Sequence, residues 1–153
     1  MWKMRTNIIA RPMRSTYCCF LLVLFLSSCS RQPQHPAPPL INQDVVIAIS
    51  SLKQNIPVFY TYQYRERPIS FFVLKINDKV SCFLDACASC YPEKRGYRFD
   101  NGSIVCRACD MKFSVYQLEK GLGGCFPIKI EGRVEKGEYH IPVSMLEGSV
   151  DKF

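Results

Sequence analysis

The cysteine spacing between Asp85 and Pro127 constrains this chain more than any other feature. Five of the nine cysteines in the 153-residue sequence lie there. Cys87 and Cys90 form one C-x-x-C pair, Cys106 and Cys109 form a second, and fifteen residues separate the pairs. Two residues between cysteines let a tight turn aim both sulfurs at one point. Two such turns, brought together by folding, complete a tetrahedron of thiolates. The pattern points to a four-thiolate metal or cluster site and leaves the metal open. Cys125 follows after another fifteen residues, behind the turn-forming pair Gly123-Gly124. Three roles are open to it: ligand, redox partner or ordinary buried thiol.

The start of the chain reads as a targeting device. Residues 1–28 carry Lys3, Arg5, Arg11 and Arg14, no acid, and an apolar run from Tyr17 to Leu26. A basic start with a short apolar core is the signature of a secretory signal. The run is shorter than the roughly 20 apolar residues that span a bilayer. Leu26-Ser27-Ser28-Cys29 resembles the bacterial lipobox, in which a cysteine behind two small residues becomes a lipidated amino terminus. The expected organisation is a lipoprotein signal peptide over 1–28, a lipidated N-terminus and proline-rich tether over 29–43, and a cysteine-rich domain over 44–153. The domain is then expected in the bacterial cell envelope, outside the cytoplasm, anchored through Cys29.

Removing the leader also changes the charge. The net +7 of the whole chain falls to +3, from 16 basic and 13 acidic residues, so the basic composition gives no ground for a nucleic-acid partner. Ser30 to Leu40 holds four prolines and reads as an extended, poorly packed tether, with His35 as a solvated linker residue within it.

Beyond the tether the pattern is mainly β. Pro57 to Tyr64 is rich in aromatic and β-branched residues, and Tyr60, Tyr62 and Tyr64 share one half-buried face. Arg65 to Pro68 breaks the run. Ile69 to Ile76 is apolar enough for a central strand. Asn77-Asp78 marks a hairpin, and Lys79 to Asp85 delivers the chain to Cys87. Cys82 reads as a core thiol on the face of Val80 and Leu84. Asp85 reads as an acid that orients the following turn through backbone hydrogen bonds. Asp100-Asn101-Gly102 and Glu135-Lys136-Gly137 mark further hairpins. Met111 to Leu118 suits a strand or a short helix. His140 reads as a structural histidine, and one helix candidate spans Ile47 to Gln54. The expected fold is a small single domain of antiparallel hairpins carrying the cysteine site.

The residues Asp85-Ala-Cys-Ala-Ser-Cys90, Gly96-Tyr97, Cys106-Arg-Ala-Cys-Asp-Met-Lys-Phe113 and Gly123-Gly-Cys-Phe-Pro127 resemble the FtrD-like membrane iron–sulfur protein family. The resemblance covers about Pro57 to Val150. It implies a cysteine-bound iron–sulfur centre working in electron transfer at a membrane, beside an iron permease and cupredoxin-like periplasmic proteins of bacterial iron uptake. A weaker likeness joins Cys106-x-x-Cys109-x-x-x-Phe113 and the closing hairpin to the second box and tail of Rieske-type domains. There cysteine stands where a Rieske centre has histidine, a change that implies a lower potential.

Two other readings fit the same cysteines. One is a structural zinc site in a binding or accessory lipoprotein. The other is a disulfide or dithiol framework, since six cysteines remain besides Cys29 and allow fifteen pairings. Haem attachment is excluded, because Tyr91 and Asp110 follow the C-x-x-C pairs where histidine is required. No catalytic triad, carboxylate pair or phosphate loop points to an enzyme with its own substrate. The lipobox reading makes a direct prediction. Cys29→Ala blocks lipid-modified processing, and a variant that still fractionates with membranes as a processed lipoprotein contradicts it.

Overall fold

The structure, a computed structural model, describes residues 32–120 and 124–153. The leader, Cys29 and Gly123 lie outside the described residues. Among the described residues, eleven strands form three antiparallel sheets. The first sheet contains β1 (Leu40–Ile41), β2 (Asp44–Ala48), β10 (Arg133–Glu135) and β11 (Glu138–Pro142), in the order β1-β2-β11-β10. The second has β3 (Val58–Tyr64), β4 (Arg67–Ile76), β5 (Lys79–Cys87) and β9 (Pro127–Ile130) in that order. The third is β6 (Tyr97–Asp100), β7 (Ser103–Cys106) and β8 (Lys112–Ser114).

The second sheet is the middle layer, and its sequence explains why. Successive residues of a strand point to opposite faces. Phe71, Val73, Cys82 and Leu84 point to one core, where they meet Val45, Ile47 and Ile141 of the first sheet. Phe72, Leu74 and Phe83 point to the other, where they meet Tyr97, Ile104 and Phe113 of the third sheet. A strand covered on both faces has no polar side, and this is why β4 reads as an unbroken apolar run. Cys82 is fully buried in the first core, as its mid-strand position implies. Tyr60, Tyr62 and Tyr64 are half-buried against the same core. The helix α1 (Val143–Glu147) adds Leu146 to it, and Glu147 accepts a hydrogen bond from the Tyr62 hydroxyl at 2.9 Å.

Three hairpins lie where the turn residues put them. Asn77-Asp78, Asn101-Gly102 and Lys136-Gly137 each link paired strand ends, and both residues of each pair have positive φ. That is the backbone of a type I′ turn, which matches the twist of the strands it joins. Arg65-Glu66 is a fourth two-residue link, between Tyr64 and Arg67. The expected break there is a tight turn, and Pro68 lies inside β4.

Two expectations change. The helix candidate over Ile47 to Gln54 is instead the end of β2 followed by one 3-10 turn, Ile49–Ser51. Tyr139 and Ile141 of β11 claim the β2 backbone and bury Val45 and Ile47, so tertiary pairing overrides local pattern. Met111 to Leu118 divides into β8 and a 3-10 turn, Val115–Gln117. The proline-rich segment also differs from the poorly packed tether. It is extended but bound: the Thr61 amide donates to the Pro36 carbonyl at 3.1 Å, and the Val46 amide donates to that of Pro39 at 3.0 Å. Proline lacks an amide donor but keeps its carbonyl, so such a segment can still accept from a sheet. His35 is therefore not a solvated linker residue. Its amide donates to Thr61 Oγ1 at 2.9 Å and its ring packs on Phe59 at 4.9 Å.

One joint fixes the third sheet against the second. Asp85 sits within β5 where the pairing with β9 slips. Phe83 pairs with Lys129 and Cys87 with Pro127, so three β5 residues face one on β9. Such a bulge re-aims side chains, here at the strand end that carries Cys87. The buried Asp85 carboxylate accepts the Tyr97 amide at 2.6 Å. Gly96 makes this approach possible, since a Cβ there would stand 2.6 Å from Asp85 Oδ2, and its φ is +64°. Gly96→Ala is expected to destabilise the fold by about 2–4 kcal/mol through strain and loss of this contact. Denaturant unfolding checks it, and a change within about 0.5 kcal/mol contradicts it.

Candidate metal centre

Three chain segments deliver the cysteines. Cys87 ends β5, and the chain then turns through Cys90 into the 3-10 turn Tyr91–Glu93, where the Glu93 amide donates to the Cys90 carbonyl at 3.1 Å. The second turn closes tightly on Cys106. The Asp110 amide donates to the Cys106 carbonyl at 2.9 Å, and the Cys106 amide donates to the Met111 carbonyl at 3.0 Å. Asp110 has φ +56°, a left-handed conformation that aspartate tolerates. Cys125 arrives on the segment leading into β9. That segment is tied to the first turn, because the Ala88 amide donates to Phe126 and Ser89 Oγ donates to the Gly124 carbonyl at 2.8 Å.

The result is a contiguous group of five sulfurs. Cys87, Cys90 and Cys125 lie within 4.8 Å of one another, as do Cys90, Cys106 and Cys109. Cys90 belongs to both sets, so its sulfur is within 4.8 Å of each of the other four. Cys109 and Cys125 close the group at 3.8 Å. Cys87 and Cys106 are buried, Cys90 and Cys125 are half-buried, and Cys109 is exposed. Neither His35 nor His140 belongs to either set. His140 lies in the first sheet, 3.5 Å from both Asp44 and Glu138.

A family model described as "Membrane iron-sulfur containing protein FtrD-like" matches residues 44–153, the whole span of the sheets except β1. The chain belongs to the FtrD-like family. No curated protein and no solved structure matches it. Among the described residues, no helix is long and apolar enough to cross a membrane.

The donor chemistry of the FtrD-like site fits the iron–sulfur group that its family description names. Soft thiolates suit such clusters, which use cysteine ligands. The surroundings add a second fit. The Tyr97 hydroxyl is buried and, by distance and angle, has no hydrogen-bond partner. It nevertheless lies near enough to Cys87 to favour that thiolate. A buried hydroxyl is costly without an acceptor, and a ligated sulfur is one.

The thiols do not ionise alike. Burial acts to raise Cys87, but the Tyr97 hydroxyl and the Cys90 and Ser89 amides outweigh it and bring it down to about 7. For Cys109, burial is outweighed by the Met111 amide and the neighbouring thiols, and its pKa is lowered. Burial raises Cys106 to about 11, and burial with the neighbouring sulfurs raises Cys90 and Cys125. Each turn thus offers one readily ionised thiol, and the central sulfur Cys90 is the hardest to ionise without a cation. A metal ion compensates such charge and deprotonates coordinating thiols.

All five cysteines named by the spacing meet. Asp85 differs from the expectation: its carboxylate accepts the amide of Tyr97 at the start of β6 rather than an amide of the turn that follows it. The supporting residues were less legible. Gln32 Nε2 donates to the Asp85 carbonyl at 2.6 Å and to its carboxylate at 2.8 Å. Arg107 Nε donates to the Tyr97 carbonyl at 2.9 Å. His35 Nε2 lies 3.9 Å from Asp85 Oδ2, and burial followed by Arg107 holds its pKa below the ordinary value. The available signal was Asp85 itself, a lone acid closing an apolar strand.

Burial, opposed by the Gln32 and Tyr97 hydrogen bonds and by Arg107, pushes the Asp85 carboxyl from 3.8 up to about 7. Between those values the folded protein holds a proton that the unfolded chain has released. The associated stability is present at low pH and is lost as the pH rises from about 4 to about 7. Relative to Asp85→Asn, which is neutral throughout, the native protein is expected to lose up to roughly 4 kcal/mol across that window. Denaturant unfolding of both proteins at stepped pH measures the difference. A difference that stays flat with pH contradicts the assignment.

Proposed function

We propose that this FtrD-like chain is a lipid-anchored electron-transfer protein whose cysteines hold an iron–sulfur centre, acting as an accessory to bacterial iron uptake. The observation that carries the reading is the convergence of five sulfurs at one end of the middle sheet, buried on one side and open at Cys109. When bound, such a group supplies electron transfer at a potential set by its ligands, their hydrogen bonds and solvent exposure. The chain's own residues contribute the rest. Tyr97 and the turn amides favour thiolates, and the second core packs around Cys87 and Cys106 with Cys90 and Cys125 against it. The exposed edge at Cys109 leaves a short path to a partner.

A structural zinc site is the alternative with the same donors. A single tetrahedral ion with bonds of about 2.3 Å needs every sulfur–sulfur edge near about 3.8 Å. Five sulfurs converge where one such ion takes four, and the family description names iron–sulfur, which together support a larger centre over one zinc ion. The six described cysteines are free thiols, so the site is available to metal.

The bound tether bears on anchoring. Gln32 is held at Asp85, and only two residues, Ser30 and Arg31, separate it in sequence from Cys29. The three Cα-to-Cα steps between them reach at most about 11 Å. A lipid at Cys29 therefore keeps this edge of the domain close to the membrane rather than on a long spacer. The partners this reading implies are an iron permease and cupredoxin-like periplasmic proteins.

The full chain purified without oxygen is expected to contain iron and acid-labile sulfide and to show visible absorption that bleaches reversibly on reduction. Replacing Cys87 or Cys106 by Ser is expected to remove most of the iron and lower stability, because metal binding and folding are coupled. Colourless protein containing zinc alone, or full iron retention in both variants, contradicts the proposal.

A further inference from the structure

We propose that the Tyr97 hydroxyl donates a hydrogen bond to the Cys87 sulfur when that sulfur is a ligand, and that this bond raises the reduction potential of the centre. Tyr97 is then a positioning residue that acts through Cys87. The inference rests on the iron–sulfur reading above and deepens it by naming a side chain that sets the potential.

The placement of Tyr97 carries it. Tyr97 opens β6 opposite Cys106 of β7, and both side chains enter the second core together with Cys87. The backbone is held on both sides. Its amide donates to Asp85 Oδ1 at 2.6 Å, and its carbonyl accepts from Arg107 Nε at 2.9 Å. The ring lies edge-to-face with Phe72 and Phe113, with centroids at 6.2 and 6.4 Å. A side chain fixed at four points brings its hydroxyl to one place, and that place is beside Cys87. The residue is 1 % exposed, and its hydroxyl has no hydrogen-bond partner among the described residues.

Packing does not account for that hydroxyl. Phe72, Phe83 and Phe113 fill the rest of this core without one. A buried hydroxyl without an acceptor is destabilising, so a phenylalanine would serve the core better. The Cys87 sulfur becomes a good acceptor once it carries the negative charge of a ligand, because hydrogen bonds to charged groups are the strong ones. A tyrosine hydroxyl ionises only near about pH 10, so it is a donor at neutral pH. The other hydroxyl of this neighbourhood, Ser89 Oγ, is committed to the Gly124 carbonyl.

The direction of the effect follows from charge. Reduction adds an electron, and the ligand sulfurs take up part of its charge. A bond donated to one of them is therefore stronger in the reduced form and shifts the equilibrium toward it.

Redox titration of the anaerobically purified full chain, followed by visible absorption, tests this against two variants. Tyr97→Phe keeps the ring and removes the donor. It is expected to hold as much iron and acid-labile sulfide as the native chain and to favour the oxidised form about tenfold more, a fall of about 59 mV for one electron. A ring-fluorinated tyrosine placed at position 97 is a more acidic, stronger donor and is expected to move the potential upward. Packing alone would not shift the potential in opposite directions in the two proteins. An unchanged or higher potential in Tyr97→Phe overturns the inference and leaves the iron–sulfur reading standing, whereas a native chain without iron and sulfide overturns both. Where Tyr97→Phe does not assemble, the fluorinated chain decides the matter, and a potential that does not rise overturns the inference.

Discussion

The Asp85 carboxylate is the interaction on which the arrangement of this molecule depends. Its strand belongs to the middle sheet, and its partner, the Tyr97 amide, opens the third. Tyr97 pairs with Cys106 across β6 and β7, so fixing Tyr97 fixes the second cysteine turn relative to Cys87, two residues beyond Asp85. A buried carboxyl is costly unless it is hydrogen-bonded. Here the Gln32 side chain and the Tyr97 amide supply the bonds, and the missing Cβ of Gly96 supplies the space. Burial and function are coupled at this point, because the group that joins the sheets also sets the distance between the two thiol turns.

The N-terminal segment extends this joint outward. Gln32 reaches the carboxylate from one end of the proline-rich stretch, and Pro36 and Pro39 accept amides from two different sheets. The segment is thus a brace across the fold. It ties the N-terminal end of the described chain directly to the cysteine end of the fold, through Asp85.

Much of this was legible from the residues, and the exceptions have physical reasons. The hairpins at Asn77-Asp78 and Asn101-Gly102 were readable because few residue pairs accept positive φ at both positions. β4 was readable because a strand with two buried faces cannot hide its composition. The C-x-x-C turns were readable because chelation fixes their spacing. The bulge at Asp85 was not, since nothing in Leu84-Asp85-Ala86 distinguishes a slipped register from a regular one. The brace was hidden because proline content signals a lost donor and says nothing of carbonyls that still accept. β2 was partly misread because its pairing with β11 spans some ninety residues of sequence, beyond the reach of any local pattern.

The central claim is that sulfur atoms of this one group supply the protein ligands of an iron centre. X-ray absorption at the iron edge of the anaerobically purified full chain tests it most directly. The account predicts a first shell made only of sulfur, with a second, heavier scatterer beyond it at the short distance of an adjacent iron. A shell dominated by nitrogen or oxygen would contradict it.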